Sequence, residues 1–165
     1  MTLPIYVMYD TGITHDEEIS IAEALADLKK IFPERKIVNF GKAAWGNGEY
    51  SSANWYVQKA MDIDKIKDEY SQLNADVLVN LMSNEPYQEA TPHIDVMFTS
   101  RDLTSKIWDL NFCFGMTRGR CTVQSVYRYR WLNAADKHLA IKAVVLHELG
   151  HVFGMARNPK REKTV

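Results

Sequence analysis

A long, mostly apolar segment near the end of the sequence constrains the fold more than any other feature. The segment from Asn133 to Gly154 begins with a residue that caps helices and ends with a residue that terminates them. Its apolar residues cover nearly the whole circumference of a helix: Leu139, Ala140, Ile141, Ala143, Val144, Val145 and Leu146. The pattern predicts a long helix that is buried in the domain rather than laid on its surface.

This predicted helix carries the sequence His147-Glu148-Leu149-Gly150-His151 close to its end. Histidines four residues apart lie one turn apart on the same helix face, so both imidazoles can bind one metal ion. Glu148 lies about 100° further round the helix, where it can act as a base without being a ligand. The spacing predicts a zinc site with His147 and His151 as ligands, Glu148 as general base, and peptide hydrolysis as the reaction.

One other interpretation of this motif remains open. The HExxH pattern arises by accident in roughly one chain in a hundred of this composition, and its histidines would then be ordinary core residues of a metal-free α/β domain. Burial of two histidines without partners costs stability, and a bound metal ion removes that cost. The position of the motif on a buried helix therefore favours the metal site.

The first forty residues have the pattern of a β-α-β unit. Strands are predicted at Ile5 to Tyr9 and Lys36 to Phe40, with a helix from Thr14 to Pro33 between them. Thr14 can cap this helix, and Glu17 can complete a capping box. Such a unit favours a parallel strand pair, so we expect an α/β fold with a mixed, twisted sheet and a buried active-site helix.

The middle of the chain is predicted from shorter patterns. We expect a loop over 41–54, a helix from about Trp55 to Leu73, a central strand at Ala75 to Met82 and another strand at Ile94 to Thr99. Strands at 111–115 and 120–129 follow, joined by a tight turn at 117–119. The alternation in the second of these strands suggests the edge of a sheet.

Composition limits the classes of partner. With 165 residues, 46% of them hydrophobic, the chain suits one globular domain over 1–165. A formal net charge of −1 argues against nucleic-acid binding. The sequence has neither a signal-peptide pattern nor an apolar run of about 18 residues, so we expect a cytoplasmic protein without a membrane partner.

The remaining cysteines and histidines carry weaker expectations. Cys113 and Cys121 are too few for a disulfide framework, so reduced core thiols are expected rather than a redox pair. His15, His93 and His138 have no partner at ligand spacing, so we expect them in loops or at the surface.

Gly154 and Met155 extend the motif to HELGHVFGM, which resembles the start of the metzincin signature HExxHxxGxxH. Over about residues 94–155 the order of segments is similar to that of the archaemetzincins: Arg101-Asp102-Leu103, then NFCFG, TVQSVYR and HELGH. The resemblance implies a zinc-dependent metallopeptidase, either an endopeptidase or an aminopeptidase, that binds Zn²⁺ and acts on a peptide or protein. It also implies an edge strand that holds an extended substrate, here Thr122, Val123, Gln124, Ser125 and Val126.

The sequence departs from that family after Gly154. Arg157 stands where the third histidine ligand is expected, and a cation cannot bind zinc. A Met-turn is absent too, because Met155 is the only methionine after the motif. We therefore expect a chain truncated at its C-terminus; a displaced histidine, a lost ligand and a substitute ligand such as Glu162 are alternatives. If the ligand is lost, the protein would be a non-catalytic peptide-binding or interaction module.

Overall fold

A computed structural model of the chain describes residues 2–43 and 52–154. The strands are, in chain order, β1 (Ile5–Tyr9), β2 (Ile37–Gly41), β3 (Leu73–Asn74), β4 (Ile94–Thr99), β5 (Leu103–Ser105), β6 (Leu110–Cys113), β7 (Gly115–Arg118) and β8 (Cys121–Ser125). The helices are α1 (His15–Ile31), α2 (Ser52–Asp64), α3 (Ala75–Ser83), α4 (Pro86–Ala90) and α5 (Ala134–Val152). A 3₁₀ turn, Tyr127–Trp131, leads into α5.

The main sheet has five strands in the order β2-β1-β4-β8-β7. Its first four strands are parallel, and β7 is antiparallel to β8. A small second sheet has the order β3-β5-β6. The mixed α/β architecture predicted from the sequence is confirmed.

Both faces of the main sheet are covered. Ile5, Val96 and Phe98 point to one face, where they pack with α1 and α5. Met8 and Met97 point to the other face, where they pack with α2 and α3. Because side chains alternate along a strand, β1 and β4 contribute to both cores.

The β-α-β unit at the start of the chain is confirmed. β1 and β2 are parallel and α1 connects them. Thr14 caps α1, its hydroxyl accepting from the Glu17 backbone N–H, and the Glu17 carboxylate accepts from the Thr14 N–H in return. Since Pro33 cannot continue a helix, α1 ends at Ile31.

Two predictions for the middle of the chain are wrong. The segment predicted as a central strand, Ala75 to Met82, is helix α3. The side chain of Asn74 caps it by accepting from the backbone N–H of Asp76, and this local signal is stronger than the β-branched composition. The helix predicted from Trp55 to Leu73 begins earlier and ends at Asp64. Most of the loop predicted over 41–54, residues 44–51, lies outside the described residues.

A hairpin is present, but its first strand differs from the prediction: residues 111–113 of the predicted strand 111–115 belong to β6 in the small sheet, and the strand that pairs with β8 is β7. The second strand ends at Ser125 rather than at residue 129. Gly119, with φ +57, forms the turn between β7 and β8. The expected edge position of the second strand is wrong, because β8 lies between β4 and β7. The strand at this edge of the main sheet is β7.

Helix α5 follows the predicted bounds but is only half buried. Ile141, Val145 and Leu149 face the core, whereas Leu139 is 63% exposed. The apolar residues on the other side of α5, Ala143 and Val144, line a cleft, which accounts for apolar side chains around the whole helix. None of the helices within residues 2–43 and 52–154 is both long and apolar enough to cross a membrane.

Candidate active site

The last two turns of α5 bring His147 and His151 together. Their Nε2 atoms are 3.1 Å apart, and the rings meet edge to face with centroids 4.6 Å apart. The side chain of His147 is 58% exposed, so the pair opens toward solvent. The sequence spacing predicted this convergence.

Glu148 lies on the inner side of the same turn and is 7% exposed. Its Oε1 atom is 4.0 Å from His147 Nε2, and its Oε2 atom accepts a 2.5 Å hydrogen bond from the hydroxyl of Thr117 on β7. This bond holds the carboxylate in one orientation beside the imidazoles. We call His147, Glu148 and His151 the cleft triad.

Gly115 on β7 makes room for the Glu148 side chain. A Cβ atom on Gly115 would lie 2.9 Å from Glu148 Cγ, 3.0 Å from Glu148 Cδ and 3.1 Å from the carbonyl oxygen of Val123. The glycine therefore allows the carboxylate to approach the strand closely.

The cleft triad forms one wall of a cleft of about 470 Å³. The opposite wall consists of β6, β7 and the residues beside them: Trp108, Leu110, Phe112, Cys113, Phe114, Gly115, Met116 and Thr117. Mostly apolar walls around a few converging polar groups are typical of sites that bind small molecules or peptide side chains.

The two histidines fit a zinc ion. Zinc–nitrogen bonds of about 2.0–2.1 Å at the tetrahedral angle place two ligand nitrogens about 3.3 Å apart. The observed separation of 3.1 Å is close to this value without any movement of α5. The carboxylate of Glu148 is also within 4.8 Å of both nitrogens, so three candidate donors converge.

The five residues predicted to bind substrate, Thr122 to Val126, do not line the cleft. They are buried, and because β8 pairs on both sides its backbone cannot accept another strand. The residues that take this position are Gly115, Met116 and Thr117 of β7. The sequence feature that could have identified them is Gly115, in the strand that precedes β8.

Other predictions from single residues have mixed outcomes. Cys113 and Cys121 are buried free thiols, as expected, and burial raises their pKa to about 12 and about 11. His15 is exposed as expected. His93 lies in the loop before β4, as expected, but its side chain is fully buried. His138 is partly buried and contacts Ser20 and Glu23.

The end of the metzincin-like signature is only partly described. Gly154 follows α5 with φ +91, a conformation that glycine adopts readily. Met155, Arg157 and Glu162 lie outside the described residues.

Comparison with known proteins shows the fold. No family model and no curated protein matches the chain. Among solved structures, archaemetzincin from Methanopyrus kandleri is similar with a TM-score of 0.68 at 20% identity, covering 96% of this chain and 77% of that one. Archaemetzincin from Archaeoglobus fulgidus, solved with malonate, gives 0.58 at 20% identity, with 94% and 81% covered.

A zinc-dependent peptidase from Methanocorpusculum labreanum is also similar, with a TM-score of 0.54 at 13% identity, covering 93% of this chain and 83% of that one. Each of the three matches extends over nearly the whole of this chain, so the likeness includes the N-terminal β-α-β unit as well as the motif helix. The chain has the archaemetzincin-like fold.

Proposed function

We propose that this protein is a zinc-dependent metallopeptidase whose active site is the cleft triad. The observation that carries the proposal is the 3.1 Å separation of two imidazole nitrogens beside a carboxylate, in a cleft bounded by an edge strand. The archaemetzincin-like fold supports the same function, because the similar solved structures include a zinc-dependent peptidase.

Each residue of the site has a separate role. His147 and His151 hold the zinc ion, which when bound polarises the scissile carbonyl and activates the attacking water. Glu148 accepts the proton of that water at its carboxylate and delivers it to the leaving amine. Thr117 keeps one carboxylate oxygen fixed, so that the other faces the reacting atoms.

The edge strand β7 positions the substrate in this proposal. Its side away from β8 has no paired strand among the described residues, so a peptide can bind there as an additional strand. The cleft then accepts one substrate side chain between Phe112 and Val144, both of which line it. Apolar side chains are therefore expected to be preferred.

Zinc content per chain tests the metal site. The purified protein and a His147→Ala variant are loaded with zinc, dialysed together and measured by elemental analysis, with His15→Ala as the exposed-histidine control. Loss of one zinc equivalent in His147→Ala alone supports the site, and equal zinc in all three proteins contradicts it. Wild-type activity in a His147→Ala protein that has lost its zinc would place catalysis elsewhere.

Substitution of the base tests the mechanism. The change Glu148→Gln removes the proton acceptor and keeps the size of the side chain, so we expect peptide cleavage to fall by roughly 10³-fold or more while zinc stays bound. Cleavage of a fluorogenic peptide library is the measurement. Undiminished cleavage by Glu148→Gln contradicts the role of Glu148. Parallel assays of free and N-acetylated peptides distinguish an aminopeptidase from an endopeptidase.

A further inference from the structure

A second group of ligand-type side chains lies on the other face of the main sheet. Glu85 precedes α4, His93 precedes β4, and Asp95 is the second residue of β4. Their donor atoms lie within 4.8 Å of one another. We call Glu85, His93 and Asp95 the buried triad, because His93 is 0% and Asp95 1% exposed.

His93 is oriented as metal-binding histidines are. Its Nδ1 atom lies 2.7 Å from the backbone oxygen of Thr91, and its ring stacks on Tyr6 with centroids 4.8 Å apart. A histidine that donates Nδ1–H to a carbonyl presents Nε2 as a lone-pair nitrogen, which is the usual arrangement around metal sites. This Nε2 faces the two carboxylates.

Buried oxygens without hydrogen-bond partners surround this nitrogen. Both carboxylate oxygens of Asp95, one carboxylate oxygen of Glu85 and the amide oxygen of Gln88 have none. A buried charge without a partner costs several kcal/mol or changes its protonation state. These oxygens therefore point to a positive charge that binds among them.

The distances from His93 to the two carboxylates allow one ion to bind the histidine together with either of them. His93 Nε2 is 3.6 Å from Glu85 Oε1 and 3.9 Å from Asp95 Oδ2. Two atoms that each bind an ion at about 2.1 Å lie at most about 4.2 Å apart. Both separations fall below that limit, and the Glu85 side chain, 16% exposed, provides a route from solvent.

We propose that Glu85, His93 and Asp95 form a second metal site, which binds a divalent transition-metal ion of the zinc class. One imidazole and two carboxylates suit zinc or manganese better than calcium, which prefers oxygen ligands alone. Gln88 on α4 is 3% exposed, and its amide nitrogen lies 3.2 Å from His93 Nε2. Rotation of this amide would bring its oxygen toward the ion as a fourth ligand. The ion would fasten α4 to β4 and act structurally, because the site is closed.

The second metal site is tested by measuring zinc binding in a variant that lacks both histidines of the cleft triad. In a His147→Ala/His151→Ala variant we expect about one zinc per chain after equilibrium dialysis against zinc alone, and a higher Tm with zinc than with chelator. Adding Asp95→Asn should abolish both effects. The control is Glu89→Gln, an exposed acid on α4, which should change neither.

Two results would overturn the proposal: no zinc bound by the double variant, or zinc bound equally after Asp95→Asn. If Asp95→Asn does not fold, Glu85→Gln at the rim of the site is substituted for it and should weaken zinc binding at least 10-fold. Because the cleft histidines are already removed, the result does not depend on the proposed peptidase function.

Discussion

The cleft triad and the buried triad use similar donors in opposite surroundings. His147 of the cleft triad is 58% exposed at the mouth of a cleft, whereas His93 of the buried triad is 0% exposed between a sheet and a helix. Catalytic metal sites keep a ligand position open for water or substrate, and structural sites are closed. In the two proposals, the same kinds of side chain therefore serve chemistry on one face of the sheet and stability on the other.

Hydrogen bonding shows the same contrast. In the cleft triad the one buried carboxylate, Glu148, already has the Thr117 hydroxyl as a partner. In the buried triad, Asp95 has no hydrogen-bond partner for either oxygen. Loss of a histidine is therefore expected to affect activity in the first group and folding in the second.

Removal of one histidine from each triad gives the largest expected difference. We expect His147→Ala to lower peptide cleavage by roughly 10³-fold or more and to change the free energy of unfolding by less than about 1 kcal/mol. We expect His93→Ala to cost about 3 kcal/mol or more, because two buried carboxylates remain together. Urea unfolding beside a cleavage assay measures both, with His15→Ala as the control. Similar destabilisation by both substitutions would remove the distinction between the triads.

Glu17 can be compared with the carboxylates of both triads, because it is a buried carboxylate that has cationic partners. It is 0% exposed, and Arg130 and Lys137 bind it at 2.8 and 2.9 Å. Burial alone would raise its pKa, but hydrogen bonds from Arg130, Thr14 and Lys137 lower it to about 2.

A folded-state pKa below the unfolded value stabilises the fold above about pH 4.5, and this stabilisation is lost as the pH falls toward 2. We expect Glu17→Gln to cost about 3 kcal/mol at pH 7 and to reduce the loss of stability between pH 5 and 3. Urea unfolding across that pH range is the measurement, and Glu34→Gln, an exposed acid, is the control. An unchanged pH dependence would show that Glu17 does not stabilise the fold as an ion.

The close approach of β7 to Glu148 gives a third test. We expect Gly115→Ala to lower cleavage by about 10²-fold, because the new Cβ displaces a carboxylate that is positioned to within about 0.5 Å. Zinc content should not change. The control is Gly119→Asn, where nothing lies within 4 Å of a Cβ and asparagine tolerates the positive φ. If both glycine variants cleave peptides at the wild-type rate, the position of Glu148 is not critical.

The smallest expected effect belongs to the hydroxyl of Thr117. The change Thr117→Val preserves shape and removes the donor to Glu148 Oε2, so we expect cleavage to fall by about 10-fold with little loss of stability. Thr104→Val, which removes a hydroxyl bond to the Leu110 carbonyl in the small sheet, is the matched control. Equal activity of the two variants would mean that Glu148 does not need this partner.

The sequence predicted those parts of the molecule that depend on local geometry. The capping box at Thr14, the helix from Asn133 and the convergence of His147 with His151 all follow from spacing within one turn of helix. The strand predicted at Ala75 to Met82 is wrong because a short apolar run does not distinguish a strand from a buried helix. The Asn74 cap was the signal that should have decided it.

Features that depend on contacts between distant segments could not be predicted. β7 lies at the edge of the sheet because β8 pairs with β4 as well as with β7. This pairing follows from the strand order of the folded sheet, which the composition of Thr122 to Val126 does not determine. His93 has no ligand-spaced partner in sequence, and only the stacking on Tyr6 and the folding of Glu85 over it create the buried triad. Both depend on tertiary packing, for which the sequence gives no local pattern.

The contact between α1 and α5 has a consequence for biosynthesis. The helix that carries the motif is the last element of the described chain, and it packs against the first helix, where Glu17 holds Arg130 and Lys137. A ribosome therefore releases the scaffold and the walls of the cleft before the turn that carries His147 and His151. Because domains fold as units once their sequence has emerged, the cleft triad forms only after every strand of the main sheet has been synthesised.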